Sequence, residues 1–322
     1  MKKIIGMIAF ILTAVMLFLL IKNSMTPKQS NAILEKNDVP VQPPSSKLAF
    51  GVIGDVHTNA AELTNALRDF WSVNPTMDLL VLNGDIVDEG FEKEYTTIND
   101  CLTENKKLLP KTVIKNIGNH EFFDYKKGQN SLSEAETFRS RYLTFSGEKK
   151  VYHDHWVKDY HFISLGSERT YTSDVNSVQA FISDEQLNWL KDKLAEGYKP
   201  GKPIFVLLHQ PYAGTKQRNE LKDILSKYPE VILFSSHTHT YLENNNIAYQ
   251  TQPFLAVHTG AVHRPLRWEN NTVGRKSTEV KGSQGLYIEI DESKVVIKGR
   301  NFLKGEWIND GVYRVDLNQN NP

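Results

Sequence analysis

Seven side chains of types that bind metal ions stand at or just beyond the ends of short apolar runs. They are Asp55, His57, Asp85, Asn119, His209, His237 and His239. Carboxylate, amide oxygen and imidazole together suit Mn, Fe or Zn, so the set could form a metal centre. An isolated Asp-x-His or His-x-His is more often a surface turn. Recurrence of the same arrangement after five apolar runs favours the metal centre over coincidence.

The apolar runs that precede these side chains have the length of β-strands. They cover residues 48–53, 79–82, 113–117, 204–208 and 231–234. Helical patterns such as that of residues 63–71 separate them, which indicates parallel β-α-β units whose strands are buried on both faces. Ligands of such sheets gather outside the carboxyl ends of the strands. We therefore expect the five strand ends to converge at the edge of one sheet.

Glycine directly precedes three of the candidate ligand positions or blocks, as Gly54, Gly84 and Gly118. A residue without Cβ allows the backbone to turn tightly or to take a positive φ. Ordinary turn glycines would satisfy the same pattern, so these three residues agree with the metal centre without requiring it.

Five blocks resemble, in the same order, the pattern of the calcineurin-like metallophosphoesterase family: Asp55-Val56-His57, Gly84-Asp85, Gly118-Asn119-His120-Glu121, His209, and His237-Thr238-His239. The resemblance covers roughly residues 48–303. It implies an α/β fold, a four-layer α/β/β/α sandwich of two mixed sheets. Strand patterns at 285–290 and 295–298 are expected in the second sheet. Two residues depart from the family pattern, since Ser236 replaces a glycine and Glu121 stands where aspartate is commoner.

The resemblance also implies a division of labour among the site residues. Two divalent or trivalent ions, Mn, Fe or Zn, would be bound, the first by Asp55, His57 and His239, the second by Asn119, His209 and His237, with Asp85 bridging both. Two such ions can clamp phosphate oxygens and supply a hydroxide that attacks phosphorus. His120 would stabilise the developing charge or protonate the leaving oxygen. A structural role in the core is the alternative for His120.

The predicted activity is therefore hydrolysis of a phosphomonoester or phosphodiester, on a small molecule or on a phosphodiester of the cell envelope. The 38 basic and 38 acidic residues give a formal net charge of zero, so no nucleic acid partner is expected. A nuclease shares the chemistry but lacks the basic surplus. The alternative from another class is a membrane-tethered binding or scaffold protein that keeps the fold without turnover.

Three further residues are candidates for substrate binding. Tyr212 follows His209, while His258 and Arg264 follow the last metal motif, so each could border the same pocket. His263, in the same stretch, could line it as well. Arginine could grip a phosphate, and the tyrosine ring could cover it. Solvated loop positions are the alternative for all three residues.

Two more histidines, His153 and His155, have spacing that could bind another metal ion. They lie in a predicted strand whose neighbour, residues 160–165, suggests a hairpin. Alternate residues of a strand share a face. Exposed hairpin positions are the simpler interpretation, and we apply the same interpretation to His161.

The N-terminal residues differ from the rest of the chain. Lys2 and Lys3 precede an apolar run over residues 4–21 that approaches the length needed to span a membrane. Residues 1–22 are therefore predicted to be a signal anchor or signal peptide, 23–46 a flexible linker, and 47–322 the metallophosphoesterase domain. The expected location is the cell membrane with the catalytic domain outside the cytoplasm, or secretion if the segment is cleaved.

Overall fold

The computed structural model describes residues 47–243, 247–250, 252–271 and 274–317. The predicted N-terminal segment 1–22 and linker 23–46 lie outside these residues. Within the described part of the chain, no helix combines the length and apolar character needed to cross a membrane. The described residues divide into a main body and a separate segment, residues 267–278.

The described helices are α1 (Ala60–Val73), α2 (Glu92–Glu104), α3 (Leu132–Ser146), α4 (Asp184–Ala195) and α5 (Arg218–Leu225). The described strands are β1 (Leu48–Ile53), β2 (Leu79–Asn83), β3 (Thr112–Asn116), β4 (His153–Val157), β5 (Tyr160–Ser164), β6 (Ile204–Leu207), β7 (Val231–Ser235), β8 (Ala248–Tyr249), β9 (Leu255–His258), β10 (Leu266–Asn271), β11 (Gly274–Glu279), β12 (Gln284–Ile290), β13 (Lys294–Asn301) and β14 (Glu306–Asp316).

Two six-stranded mixed sheets form the main body. The first has the order β14-β13-β12-β1-β2-β3, with β1, β2 and β3 parallel and β12 antiparallel to β1. The second has the order β4-β5-β6-β7-β9-β8, in which β5, β6, β7 and β9 are parallel. Strands β10 and β11 pair with each other as a two-stranded sheet.

The expectation that all five motif strands share one sheet is wrong. Strands β1, β2 and β3 belong to the first sheet, whereas β6 and β7 belong to the second. The expectation that 285–290 and 295–298 form the second sheet is also wrong, because β12 and β13 pair beside β1. An apolar run predicts a strand buried on both faces, but it carries no information on which strand becomes its neighbour.

Side-chain alternation along β1 shows how the layers are built. Phe50 and Val52 lie in the core between the two sheets, whereas Ala49 and Ile53 lie in a second core beneath helices α1, α2 and α3. A third core packs α4 and α5 on the outer face of the second sheet. Since successive residues of a strand point to opposite faces, one apolar strand serves two cores. The predicted four-layer α/β/β/α sandwich is confirmed.

Three helices begin at residues whose side chains bond to the first turn. Asn59 accepts a hydrogen bond from the Glu62 backbone at the start of α1, and Ser183 accepts one from Gln186 at the start of α4. Ser131 and Glu134 form a reciprocal capping box at the start of α3. These bonds satisfy backbone N–H groups that the helix itself leaves without partners.

Phe50 is expected to be a major contributor to the core between the sheets. Its ring meets those of Phe162, Phe205 and Phe234 edge to face, with centroids 5.1, 5.0 and 6.0 Å away. Phe50→Ala should lower the free energy of unfolding by about 3–5 kcal/mol in guanidinium titrations, because it leaves a cavity between two sheets. The exposed Leu132 is the control, and Leu132→Ala should change that energy by less than about 0.5 kcal/mol. Equal effects of the two substitutions would contradict this description of the core.

Candidate metal centre

The first group of candidate ligands is Asp55, His57 and His239. Nε2 of His239 lies 3.5 Å from Oδ1 of Asp55 and 3.1 Å from Nε2 of His57. The Nδ1 atoms of these histidines bond outward, His57 to Asp88 Oδ1 at 3.1 Å and His239 to the Arg264 carbonyl at 3.0 Å. When Nδ1 carries the proton, the Nε2 lone pair is free to bind a cation. The three residues thus offer one carboxylate and two imidazoles to a shared ion.

The second group is Asp85, Asn119, His209 and His237. Nε2 of His209 lies 3.0 Å from Oδ2 of Asp85, and Nδ1 of His237 lies 2.8 Å from Oδ1 of Asn119. One ligand atom from each of Asp85, His209 and His237 lies within 4.8 Å of the others. This group combines carboxylate, amide oxygen and imidazole, a donor set suited to Mn, Fe or Zn.

The Asp85 carboxylate stands between the two groups. Its Oδ2 atom is 3.0 Å from Nε2 of His209 and 4.0 Å from Nε2 of His57. Its Oδ1 atom accepts a hydrogen bond from the His120 backbone at 2.9 Å. Asp85 follows a strand of the first sheet, and His209 follows a strand of the second. The structure therefore brings all seven predicted ligands together, at a place where strand ends of two sheets meet.

The backbone at the centre is strained in a way that the sequence does not reveal. Asp55, His57, Asp85, His237 and His239 have φ values of 55°, 48°, 48°, 68° and 51°. Non-glycine residues rarely adopt this left-handed region, and such conformations concentrate at functional sites. The surrounding cores hold these five residues in place.

Two glycines are required by close approach at the centre. Gly84 has a φ of 84°, and a Cβ there would lie 2.6 Å from Cβ of His209. A Cβ on Gly118 would lie 2.2 Å from Oδ1 of Asp85. Any side chain at either position would displace a candidate ligand, so these are more than ordinary turn glycines.

His209 provides a test of whether the donor set fits a metal ion. Its Nδ1 atom donates to the Asn83 carbonyl at 2.8 Å, which leaves Nε2 without a proton in the neutral ring. Nε2 is buried and has no hydrogen-bond partner of suitable angle in the described chain, although Oδ2 of Asp85 is 3.0 Å away. Two lone pairs that face each other in a buried site are costly, so either a second ring proton or a cation must lie between them. A cation between them would satisfy both atoms.

Burial and charge set the protonation states of the ligands. Burial alone would raise the pKa of Asp85, but the His209 imidazole holds that pKa well below its ordinary value. Burial also opposes the charged form of His209, yet Asp85 outweighs it and raises the pKa of His209 to about 9. Burial and the neighbouring His209 lower the pKa of His237 to about 3. Asp85 is thus ionised and His237 neutral near pH 7, the forms in which each binds metal.

The Glu121 side chain binds the backbone of the loop that carries Asp85. The sequence did not lead us to assign it a functional role. Its fully buried carboxylate accepts backbone hydrogen bonds from Asp85 at 3.1 Å, Ile86 at 2.7 Å and Gly118 at 2.7 Å. Burial and the nearby Asp85 raise the pKa of Glu121 to about 7. Its place at the end of the Gly-Asn-His-Glu block was the available signal.

His120 lies beside both groups, and with His57 and Asp85 it forms a third set of side chains close enough to share an ion. Its Nδ1 atom is 2.9 Å from the Asp88 carbonyl and 3.1 Å from the Tyr125 hydroxyl, while Nε2 is 3.9 Å from Oδ2 of Asp85. Burial disfavours its charged form, but Asp85 and Asp88 raise the pKa of His120 to about 9. The ring is therefore held at Nδ1 and directs its other nitrogen toward the centre.

A cavity of about 320 Å³ opens beside the first ligand group. Arg264 borders this cavity as predicted, and its guanidinium is bound to Glu279 with Nε 2.9 Å from Oε2. Tyr125 also borders it, although its sequence context did not indicate this, and so does His263, which follows the last metal motif. The full lining is His57, Asp88, His120, Tyr125, His239, His263, Arg264 and Leu266.

Tyr212 and His258 are not among the residues that line this cavity. The Tyr212 ring packs edge to face on Phe254 with centroids 5.6 Å apart, and its hydroxyl lies 3.4 Å from Nε2 of Gln252. The His258 ring lies against Tyr249, with centroids 5.2 Å apart. Proximity in sequence to His209 and His239 thus did not place them at the cavity wall. Their roles in substrate binding stay predictions.

Comparison with known proteins identifies the family. The model of the calcineurin-like phosphoesterase family matches residues 48–241, more than half of the chain. The chain belongs to the calcineurin-like phosphoesterase family. The matched range of this phosphoesterase contains every candidate ligand from Asp55 to His239.

Individual relatives are distant. The phosphoesterase is 25% identical over 206 residues to a probable glycerophosphodiester phosphodiesterase of Arcobacter nitrofigilis. The alignment covers 60% of this chain and 66% of the relative, so the chain spans just under two thirds of that relative's length. Its fold is similar to that of a purple acid phosphatase from yellow lupin, with a TM-score of 0.54, 12% identity, and coverage of 84% of this chain and 53% of that one. GAP50, the anchor in the inner membrane complex of Plasmodium, gives a TM-score of 0.51 at 16% identity, with 84% and 88% coverage. The two structural likenesses concern the fold alone.

The Glu121 carboxylate should be essential to the geometry of the centre. Glu121→Gln replaces an acceptor oxygen with an NH₂ group that faces backbone N–H donors. We expect a loss of about 1–3 kcal/mol in the free energy of unfolding, measured in guanidinium titrations, because buried donors lose their partner. Glu104→Gln, at the exposed end of α2, is the matched control and should have almost no effect. Indistinguishable unfolding curves for the two variants would show that Glu121 does not hold the loop.

Proposed function

We propose that this phosphoesterase is a dinuclear metal-dependent hydrolase of phosphate esters. The observation that carries the proposal is the position of Asp85 between two groups of ligands, with Oδ2 3.0 Å from His209 and 4.0 Å from His57. Asp55, His57 and His239 would hold one ion and Asn119, His209 and His237 the other, with the Asp85 carboxylate between the two groups. The family match supports the general chemistry.

Two bound cations would neutralise the phosphate oxygens and make an attacking hydroxide available near neutral pH. The chain's own residues do the positioning. The outward bonds from His57 to Asp88 and from His209 to Asn83 fix both rings. The Glu121 carboxylate holds the backbone on both sides of the centre, at Asp85 and Gly118. Little rearrangement is then needed when substrate arrives.

His120 is the residue placed to act on the substrate. With Nδ1–H donated to the Asp88 carbonyl, a protonated ring directs Nε2–H toward the centre and the adjoining cavity. From there it stabilises charge on a phosphate oxygen or gives a proton to the leaving oxygen. Tyr125, whose hydroxyl bonds to Asp88 and to His120 Nδ1, keeps the ring in this orientation.

The proposed substrate class is a phosphodiester, with small molecules and envelope phosphodiesters both included. The relative from Arcobacter nitrofigilis is described as acting on glycerophosphodiesters, which supports this choice over monoesters. The cavity wall carries the cationic Arg264 and the aromatic Tyr125, one suited to phosphate and the other to a leaving group. The formal net charge of zero gives no support to a nucleic acid substrate.

The non-catalytic scaffold is the weaker alternative for this chain. A protein that had lost turnover would have no reason to keep both ligand groups together with His120 directed at them. Location outside the cytoplasm stays a prediction from the apolar run at residues 4–21.

Hydrolysis of bis(p-nitrophenyl) phosphate by the full-length, Mn-loaded protein, faster than hydrolysis of p-nitrophenyl phosphate, supports the proposal. Stoichiometric metal binding without turnover of either ester supports the scaffold.

His120→Ala separates catalysis from metal binding. We expect kcat to fall by about a hundredfold to ten-thousandfold, because a group that moves a proton in the transition state is lost. Metal content, measured by mass spectrometry, should be unchanged because His120 is not assigned as a ligand. His155→Ala, a partly exposed histidine outside the centre, is the control and should retain activity. Full activity in His120→Ala would remove His120 from the mechanism.

Asp85→Asn tests the shared carboxylate. The amide has nearly the same size but no negative charge, so it should no longer hold two cations that repel each other. We expect loss of at least one ion per chain and a fall in kcat of at least about a hundredfold. Asp154→Asn is the matched control, since Asp154 also lies beside a histidine, His161, but outside the centre. Two retained ions with full activity in Asp85→Asn would contradict the dinuclear assignment.

A further inference from the structure

The hairpin of β4 and β5 contains histidines that are not at exposed positions. The antiparallel pairing of these strands confirms the predicted hairpin. The expected exposure is wrong for His153 and His161, whose side chains are only 8% and 2% exposed. His161 stacks on Trp156 and bonds to Asp154 at 2.9 Å, so both its ring face and one nitrogen are occupied. His153 has a different environment.

His153 and His155 share a face of β4 and converge on Glu148. Oε1 of Glu148 lies 3.2 Å from Nε2 of His155 and 3.8 Å from Nδ1 of His153. One ligand atom from each residue lies within 4.8 Å of the other two. Glu148 reaches this position because α3 ends at Gly147, whose φ of 79° turns the chain toward the sheet edge.

The orientation of the His153 ring points to a ligand at Nδ1. Its Nε2 atom lies 3.2 Å from the Lys115 carbonyl, which accepts the ring proton and leaves the Nδ1 lone pair facing Glu148. Nδ1 is buried and has no hydrogen-bond partner in the described chain, since 3.8 Å to Oε1 of Glu148 is too long. A histidine whose outer nitrogen donates to a backbone carbonyl is the usual arrangement at a metal site.

We propose that Glu148, His153 and His155 form a further metal-binding site, here named the edge site, for Zn²⁺ or a similar divalent transition metal. Two imidazoles and one carboxylate are a familiar set for such ions, with a fourth position left to water. Bonds of about 2.0–2.1 Å in tetrahedral geometry place ligand atoms roughly 3.3 Å apart. The 3.2 Å and 3.8 Å separations already approach this value.

The His153 ring is held in the form that binds a metal ion. Burial lowers the pKa of His153 despite the nearby Glu148, so its ring is neutral at pH 7. A metal ion therefore displaces no proton from Nδ1 there. The Lys115 ammonium, which interacts electrostatically with Glu148, donates to the Phe145 carbonyl at 2.9 Å.

The position of the edge site suggests a structural role. Strand β4 is the outer strand of the second sheet, and Glu148 belongs to the connection that leads from α3 to β4. The Lys115 carbonyl that orients His153 belongs to β3 in the first sheet. An ion at the edge site would therefore link the connection between α3 and β4 to strand β4 and stabilise its position at the sheet edge.

Zinc binding by the full-length protein tests the edge site. Wild type, Glu148→Gln and His155→Ala are loaded with Zn²⁺, dialysed, and analysed by mass spectrometry for zinc per chain. We expect each variant to hold one ion fewer than wild type, whatever number the other centre holds. Lys149→Ala, next to Glu148 and exposed, should bind as many ions as wild type. His153→Ala is avoided because the buried ring could be needed for folding.

Two further measurements separate a metal site from a hydrogen-bonded cluster. Zinc should raise the melting temperature of wild type by about 5 °C more than that of His155→Ala, because an ion that binds only the folded state stabilises it. Mn-dependent hydrolysis by His155→Ala should stay within about twofold of wild type, which excludes damage to the dinuclear centre. Equal zinc content in wild type, Glu148→Gln and His155→Ala would overturn the proposal.

Discussion

The Asp85 carboxylate joins side chains from the two sheets into one site. It follows β2 of the first sheet, and its Oδ2 atom meets His209, which follows β6 of the second sheet, at 3.0 Å. The Asp85 backbone is in turn held by Glu121. A buried carboxylate surrounded by imidazole and amide ligands is stable when cations compensate its charge. Metal binding at this centre would therefore be coupled to the packing of the two sheets through one residue.

The centre also concentrates conformations that other parts of the chain avoid. Asp55, His57 and Asp85 all have positive φ, and Gly84 and Gly118 leave no room for a side chain. Such strain costs on the order of 1–3 kcal/mol for each residue, and three apolar cores offset it. The chain keeps these residues in unfavourable conformations because rigid strands on both sides leave them no alternative. This preorganisation is what the proposed hydrolysis requires.

The convergence of the seven candidate ligands could be predicted from the sequence because residue type and strand-end position are local features. The sequence did not predict which sheet each strand joins, since apolar runs such as those of β1 and β6 look alike when both faces are buried. Tyr125 reaches the cavity through tertiary contacts that no local pattern records. His153 was expected at an exposed position because an alternating strand does not reveal which face a neighbouring carbonyl covers. The four-layer fold could be predicted from the family resemblance. The contacts that bring Tyr125 to the cavity and bury His153 could be seen only in the structure.

Anomalous diffraction from Mn-loaded crystals of the protein is the most direct test of the dinuclear centre. We expect two peaks about 3.5–4 Å apart on either side of the Asp85 carboxylate. One peak should lie beside His57 and His239, and the other beside His209 and His237. A single peak at this centre, or two peaks that Asp85 does not contact, would contradict the shared carboxylate and with it the proposed mechanism.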